Sequence, residues 1–224
     1  MKALLRASAA LLFLAGCAQT PKSLPPTPNG MVLIPAGDAL VGTDDPDSDD
    51  ERRPLHRVSL PAFWIDRTEV TNAEFARFRP GHTFAPGQEK LPATGVTYDD
   101  AAAYARWVGK RLPTEDEWEK AARGTDGRAY PWGNRWDKSK VAARAPKPTQ
   151  RLACGKPSRV RPVGSVPAGA SPFGCLDMAG NAWEWVQGHP NGNPEQRILK
   201  GGAVGYSERG CRSYERGIEG AKAT

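Results

Sequence analysis

Residues 174–185, GCLDMAGNAWEW, constrain the fold more than any other stretch of the chain. Trp183 and Trp185 flank Glu184. Two large indoles and the carboxylate between them cannot all sit in an apolar core, because a buried carboxylate needs partners. The glycines and Asn181 permit turns that bring carbonyl groups together around a point. With Asp177 and Glu184, such a segment suits a hard cation, which takes oxygen ligands from carboxylates and main chain. The same residues also describe a half-buried strand whose indoles point inward and whose Glu184 faces solvent. Taken alone, the segment supports both.

The chain has 224 residues, enough for one domain with a sizeable core. Its 24 Gly, 21 Pro and 7 Trp point to a loop-rich fold, and its 39% hydrophobic content argues against a membrane-spanning bundle. The strongly apolar run lies at the N-terminus and is too short to span a bilayer comfortably. Lys2 and Arg6 ahead of the apolar residues 7–15 read as a bacterial export signal. It ends Leu14-Ala15-Gly16-Cys17, which resembles a lipobox, so Cys17 is the expected lipidation site and new N-terminus. Ala18 follows rather than Asp, which favours the outer membrane in a cell that has two. The expected organisation is a signal over residues 1–16, a Pro-rich tether over 17–29 and one domain over 30–224.

The net charge of +6 is unevenly spread. Asp44, Asp45, Asp47, Asp49, Asp50 and Glu51 form an acidic block that lacks the glycine and closing glutamate of a calcium loop, so it reads as a solvated surface loop. Residues 135–161 are basic and could meet an anionic lipid or polysaccharide, although such runs are more often solvated loops. The expected partners are the membrane, through the lipid, and a protein or anionic component of the cell envelope; no nucleic-acid motif is present. Cys154, Cys175 and Cys211 remain after Cys17, which allows one internal disulfide at most and leaves its pairing open.

Residues 31–35 read as a strand entering a hairpin through Gly37 into residues 39–42, and residues 57–66 read as an alternating strand. Thr71 with Glu74, Thr97 with Asp100 and Thr114 with Glu117 announce three helices, the last capped by Gly124. Beyond Gly124 the pattern predicts no helix.

Seven blocks now stand in order: MVLIPAG (31–37), FWIDRTEVTNAEF (63–75), AAYARWVGKRLPTEDEWEKAARG (102–124), YPWGN (130–134), PVGSVP (162–167), residues 173–185 and LKGG (199–202). Together they resemble the sulfatase-modifying-factor family, whose founding members are formylglycine-generating enzymes. The resemblance implies a mixed α/β (α+β) fold, a C-type-lectin-like variant with little regular secondary structure, short helices and long ordered loops. It implies a structural calcium ion held by side-chain oxygens of Asp177 and Glu184 and by the carbonyls of Gly180 and Ala182. A second calcium site of the family needs an Asn that residues 139–143 lack.

Catalytic members bind copper through two cysteines five residues apart. Counted from Gly201-Gly202, those positions fall on Tyr206 and Cys211. A phenol is a poor ligand for Cu(I), so Cys211, the one catalytic candidate, cannot build the site alone. Ala105 and Ala122 stand where active animal relatives carry Cys, and the family's closing GFRC-type strand is not found before Thr224, which leads us to expect an open sheet edge or a different closure. His56, His82 and His189 show no spacing that suggests a shared metal. The expected function is a membrane-anchored, non-catalytic envelope binding or scaffold module. The alternative is a formylglycine-generating or related oxidase acting on cysteine in sulfatase-type substrates.

Overall fold

Threonine side chains set all three helix starts. A computed structural model describes residues 1–2, 4–6, 28–48, 52–141 and 160–223. In it Thr71 Oγ1 accepts from the backbone N–H of Glu74, and the Glu74 carboxylate returns a bond to the Thr71 N–H, opening α1 (Asn72–Phe78). Thr114 and Glu117 repeat the exchange at α3 (Glu115–Arg123). Thr97 caps α2 (Tyr98–Trp107) from one side only. Each cap satisfies donors that the first turn would otherwise leave unpaired. Gly124 closes α3 at φ 75°, a conformation suited to glycine. After α3 the helical elements among the described residues are short 3₁₀ turns, as the sequence led us to expect. No helix among them is long and apolar enough to cross a membrane.

Among the described residues eight short strands make three antiparallel sheets. The first places β5 (Phe63–Asp66) between β1 (Leu4–Arg6) and β2 (Met31–Ile34). The second pairs β3 (Gly37–Val41) with β4 (His56–Leu60). The third runs in the order β6 (Glu184–Val186), β7 (Gln196–Lys200), β8 (Arg216–Gly220). Helix α3 lies between the first and third. Its Trp118, Ala121 and Ala122 pack on Leu4, Ile34, Phe63 and Ile65 and also on Val186 and Ile198. A second core gathers Phe75 of α1, Ala101, Tyr104 and Ala105 of α2, and Trp185 and Leu199 of the third sheet.

Three expectations change. Residues 31–42 do not form a hairpin, because β2 pairs with β5 and β3 with β4. Pro35 offers no N–H, and Gly37 takes φ 128°, so the chain leaves one sheet and enters another there. Residues 57–66 form two strands, β4 and β5, divided at Pro61. The acidic block is only partly solvated: Asp45 accepts from Tyr214 Oη and Arg212, and buried Ser48 donates to Glu215. Backbone and tyrosine donors hold the Asp45 carboxyl below its usual range. The expected lipidation site Cys17, most of the expected tether and residues 142–159 of the basic stretch lie outside the described residues.

Helix α3 also buries charge. Residues 117–123 are all buried, four of them ionisable. Glu119 accepts from Gly42 N–H at 2.7 Å, from Arg123, and from Lys200 Nζ at 3.0 Å. Arg123 continues to the carbonyls of Gly42, Gly127 and Arg128, and Lys120 Nζ reaches those of Pro35 and Gly37 at 2.8 Å. Arg216 of β8 holds Glu115 through two bonds of 2.8 and 2.9 Å. Breaking a buried pair strands its partner, so Glu119→Ala is expected to lower urea-unfolding stability by about 3–5 kcal/mol. Arg57→Ala, which breaks an exposed pair with Asp38, is expected to cost less than about 1 kcal/mol in the same measurement.

Candidate functional site

The loop that leads into β6 turns back on itself at Gly174, Asp177, Gly180 and Asn181, all at positive φ. Main-chain bonds fix it on several sides: Leu176 N–H to the Arg67 carbonyl at 2.7 Å, Gly180 N–H to Gly201 at 2.8 Å, and Val204 N–H to Asn181 at 3.1 Å. The Asn181 amide exchanges bonds with the Arg161 backbone. Gly164 N–H donates to Asp177 Oδ2 at 2.6 Å, and Trp118 Nε1 donates to Glu184 Oε2 at 3.1 Å. Each of these two carboxylates therefore spends one oxygen on the scaffold. The other oxygen of each, Asp177 Oδ1 and Glu184 Oε1, is buried with no hydrogen-bond partner.

This removes one of the two sequence readings of the segment. Glu184 is 0% exposed, so it is not a solvent-facing strand residue. Trp185 points inward and donates to the Val96 carbonyl, whereas Trp183 is half-buried and meets Tyr206 edge to face. A third carboxylate, Glu69, escaped the sequence reading. It is 1% exposed, and neither of its oxygens has a hydrogen-bond partner. Burial first, and then the charges of Asp177 and Glu184, hold its carboxyl well above the ordinary range. Its place two residues ahead of the Thr71 cap gave no signal, since glutamates near helix starts are ordinarily solvated.

An ammonium supplies the positive charge this cradle needs. Lys2, 0% exposed, donates to the Leu176 carbonyl at 2.6 Å and the Arg67 carbonyl at 3.4 Å, and lies 4.0 Å from Glu184 Oε1. Orphaned carboxylate oxygens next to a buried ammonium fit a cation site. Among the described residues no three His, Cys, Asp or Glu side chains gather closely enough to hold a metal by themselves. A calcium ion would therefore need the main-chain oxygens of Gly180 and Ala182 as well.

The positions that fall on the copper pair by counting differ sharply in exposure. Tyr206 is 54% exposed, and Cys211 is 1% exposed. Burial pushes the Cys211 thiol up to about 11, so at neutral pH it is the protonated, weakly ligating form. Gly202 packs against it: a Cβ there would stand 3.2 Å from Cys211 Sγ and 2.5 Å from the Gly210 carbonyl. Buried Cys175 is also a free thiol. The histidines serve separate local contacts, His56 with the Pro54 carbonyl, His82 with Asn72 and His189 with the Gln196 carbonyl. These residues do not fit a bis-thiolate copper centre.

Comparison with known proteins places this architecture. A family model described as the sulfatase-modifying factor enzyme 1-like domain matches residues 18–224. Hercynine oxygenase from Mycolicibacterium smegmatis is 34% identical, across 74% of this chain but 47% of its own length, so the chain spans under half of that relative. Formylglycine-generating enzyme from Bos taurus is 30% identical, with 87% of this chain and 71% of the relative covered. The inactive Cα-formylglycine-generating enzyme 2 from Bos taurus is 31% identical over 76% and 75%. Among solved structures, PvdO from Pseudomonas aeruginosa superposes with a TM-score of 0.67 at 28% identity, covering 86% and 89% of the two chains.

The thiol geometry carries a direct prediction. Iodoacetamide at pH 8 is expected to leave Cys211 unmodified in the native protein and to alkylate it on unfolding, as read by peptide mass spectrometry; the native rate is expected to rise only as pH approaches about 11.

Proposed function

Because the chain belongs to the sulfatase-modifying factor enzyme 1-like family, we propose that it uses the formylglycine-generating-enzyme fold as a non-catalytic binding or scaffold module of a bacterial envelope. The observation that carries this reading is the mismatch at residues 206 and 211. One position offers an exposed phenol and the other a buried, protonated thiol. Two thiolates facing one another are what a linear Cu(I) centre requires. A relative that is named as inactive shares the family with one that is named for its activity, so the fold by itself does not specify chemistry.

The oxidase reading remains the alternative, favoured by the 87% of this chain that aligns with a formylglycine-generating enzyme. Copper loading followed by incubation with a cysteine-containing sulfatase peptide separates the two. A scaffold returns the peptide with its thiol intact. Aldehyde formation that Cys211→Ala abolishes would overturn the scaffold reading.

The anchor follows from Leu14-Ala15-Gly16-Cys17, with residues 1–16 removed and lipid on Cys17, in the outer membrane where the cell has two. Metabolic labelling with an alkyne fatty acid is expected to mark the unchanged protein and not Cys17→Ser. Anchoring would hold the domain at a membrane surface where a protein or an anionic envelope component is the partner.

Asp177, Glu184, Gly180 and Ala182 would hold calcium where the cradle's unpartnered oxygens lie, and the ion's contribution would be structural. Calcium that binds only the folded state stabilises it by about 2.7 kcal/mol at a hundredfold excess over Kd. Chelation is therefore expected to lower the melting temperature of the processed protein. Glu184→Ala is expected to melt lower and to ignore the chelator. A chelator-independent midpoint in the unchanged protein would remove calcium from this site.

A further inference from the structure

Helices α1 and α2 bring their last residues to one corner of the domain. Trp107, which ends α2, is 52% exposed, whereas the other six tryptophans are buried or half-buried. Its ring stands 5.7 Å from that of Phe78, which ends α1, and 6.1 Å from that of Tyr104. The aromatic cluster that begins at Phe75 in the core therefore runs outward to solvent. Arg77 and Arg106, both exposed, lie in the last turns beside Phe78 and Trp107 and have no carboxylate partner among the described residues. The acids nearby are engaged: Asp66 with Lys110 at 2.6 Å, Asp100 with Arg79 at 2.6 Å, and Glu74 in the Thr71 cap. Asp99, which has no such partner among the described residues, stands in the first turn of α2, at the far end from Trp107.

A single exposed apolar side chain is ordinary. What sets this one apart is its company and its place. The expected tether runs to residue 29. Directly after it, the Gly30 carbonyl accepts from Arg67 N–H at 2.9 Å, and Met31 pairs with Asp66. Lys110, in the turn that follows Trp107, holds that same Asp66. The segment that would carry the lipid thus enters the domain beside the exposed indole. An indole with flanking guanidiniums suits the headgroup level of a bilayer, where the ring has an apolar side and the charges meet phosphate. We infer that the corner formed by Trp107, Phe78, Arg77 and Arg106 lies on the anionic phospholipid headgroups of the membrane that holds the lipid anchor. This contact deepens the anchored-module reading above and rests on it. A protein partner of ordinary affinity covers about 800 Å² on each side, far more than one indole and the edge of a phenyl ring offer. A bilayer needs no such area here, because the anchor makes the second contact intramolecular and a weak one suffices to orient the domain.

The test reconstitutes the processed lipoprotein into phosphatidylglycerol vesicles whose acyl chains carry bromine near the headgroup, and reads tryptophan emission. Flotation and circular dichroism accompany every sample. The other indoles are buried or half-buried, so quenching by bromine is expected to come from Trp107 and to vanish in Trp107→Phe. Arg77→Gln combined with Arg106→Gln is expected to weaken the quenching at least about threefold, and so is exchange of the lipid for brominated phosphatidylcholine. An unchanged protein that floats with the vesicles and is not quenched would overturn the surface, and would leave the corner to a protein partner or a second copy. Quenching that persists in Trp107→Phe, or that ignores lipid charge, would overturn it as well. Protein that fails to float would instead overturn the lipid anchor, and with it the contact that rests on it.

Discussion

The ion network centred on Glu119 is the interaction on which the remaining architecture depends. The three sheets are small, and the longest strands have five residues. None could hold its place by ladder bonds alone. Glu119 joins them by taking a backbone N–H from Gly42, an ammonium from Lys200 of β7 and a guanidinium from Arg123. Arg216, Lys120 and Arg123 extend the same helix to β8, to the start of β3 and to the Gly127–Arg128 turn. The apolar stripe of α3 gives adhesion between sheets, whereas the charges give it one orientation. A helix buried on nearly every side would otherwise have little to fix its rotation about its own axis.

Local signals in this sequence were legible, and partnerships were not. Thr71, Thr97 and Thr114 announced helix starts because capping is settled within four residues. The fold class followed from the family blocks and not from periodicity. Strand pairing failed where it depended on distant chain. Met31–Ile34 and Gly37–Val41 look like two arms of a hairpin, yet each has its partner after residue 55. Proline at 35 and again at 61 marks the places where a ladder must break, but does not say where each strand goes next.

The candidate site shows the same division. Asp177 and Glu184 stood out because glycines and tryptophans surround them. Glu69 did not, because its neighbours Thr68, Val70 and Thr71 are those of an ordinary approach to a helix. Its isolation is a tertiary fact, produced by the packing of residues 67–70 against the first residues of the chain and the loop at 176. Lys2 was read as the charged start of an export signal, and nothing in its local sequence pointed to a carboxylate 182 positions away. Tyr206 and Cys211 could be placed by counting, but only packing showed that one faces solvent while the other is shut inside.

The crowding at Gly202 bears on the history of such a domain. A single nucleotide change turns a tyrosine codon into a cysteine codon, so the missing thiol at 206 lies one mutational step away. That step would not restore a metal pair. Cys211 faces inward against a glycine with no room for even a Cβ, and its neighbour Gly210 underlies the Tyr206 ring, where a Cβ would sit 3.0 Å from the ring edge. A cysteine at 206 would therefore meet no second thiol unless the packing of Cys211 against Gly202 also changed. The obstacle to pairing two thiols in this loop is steric and does not lie in codon distance.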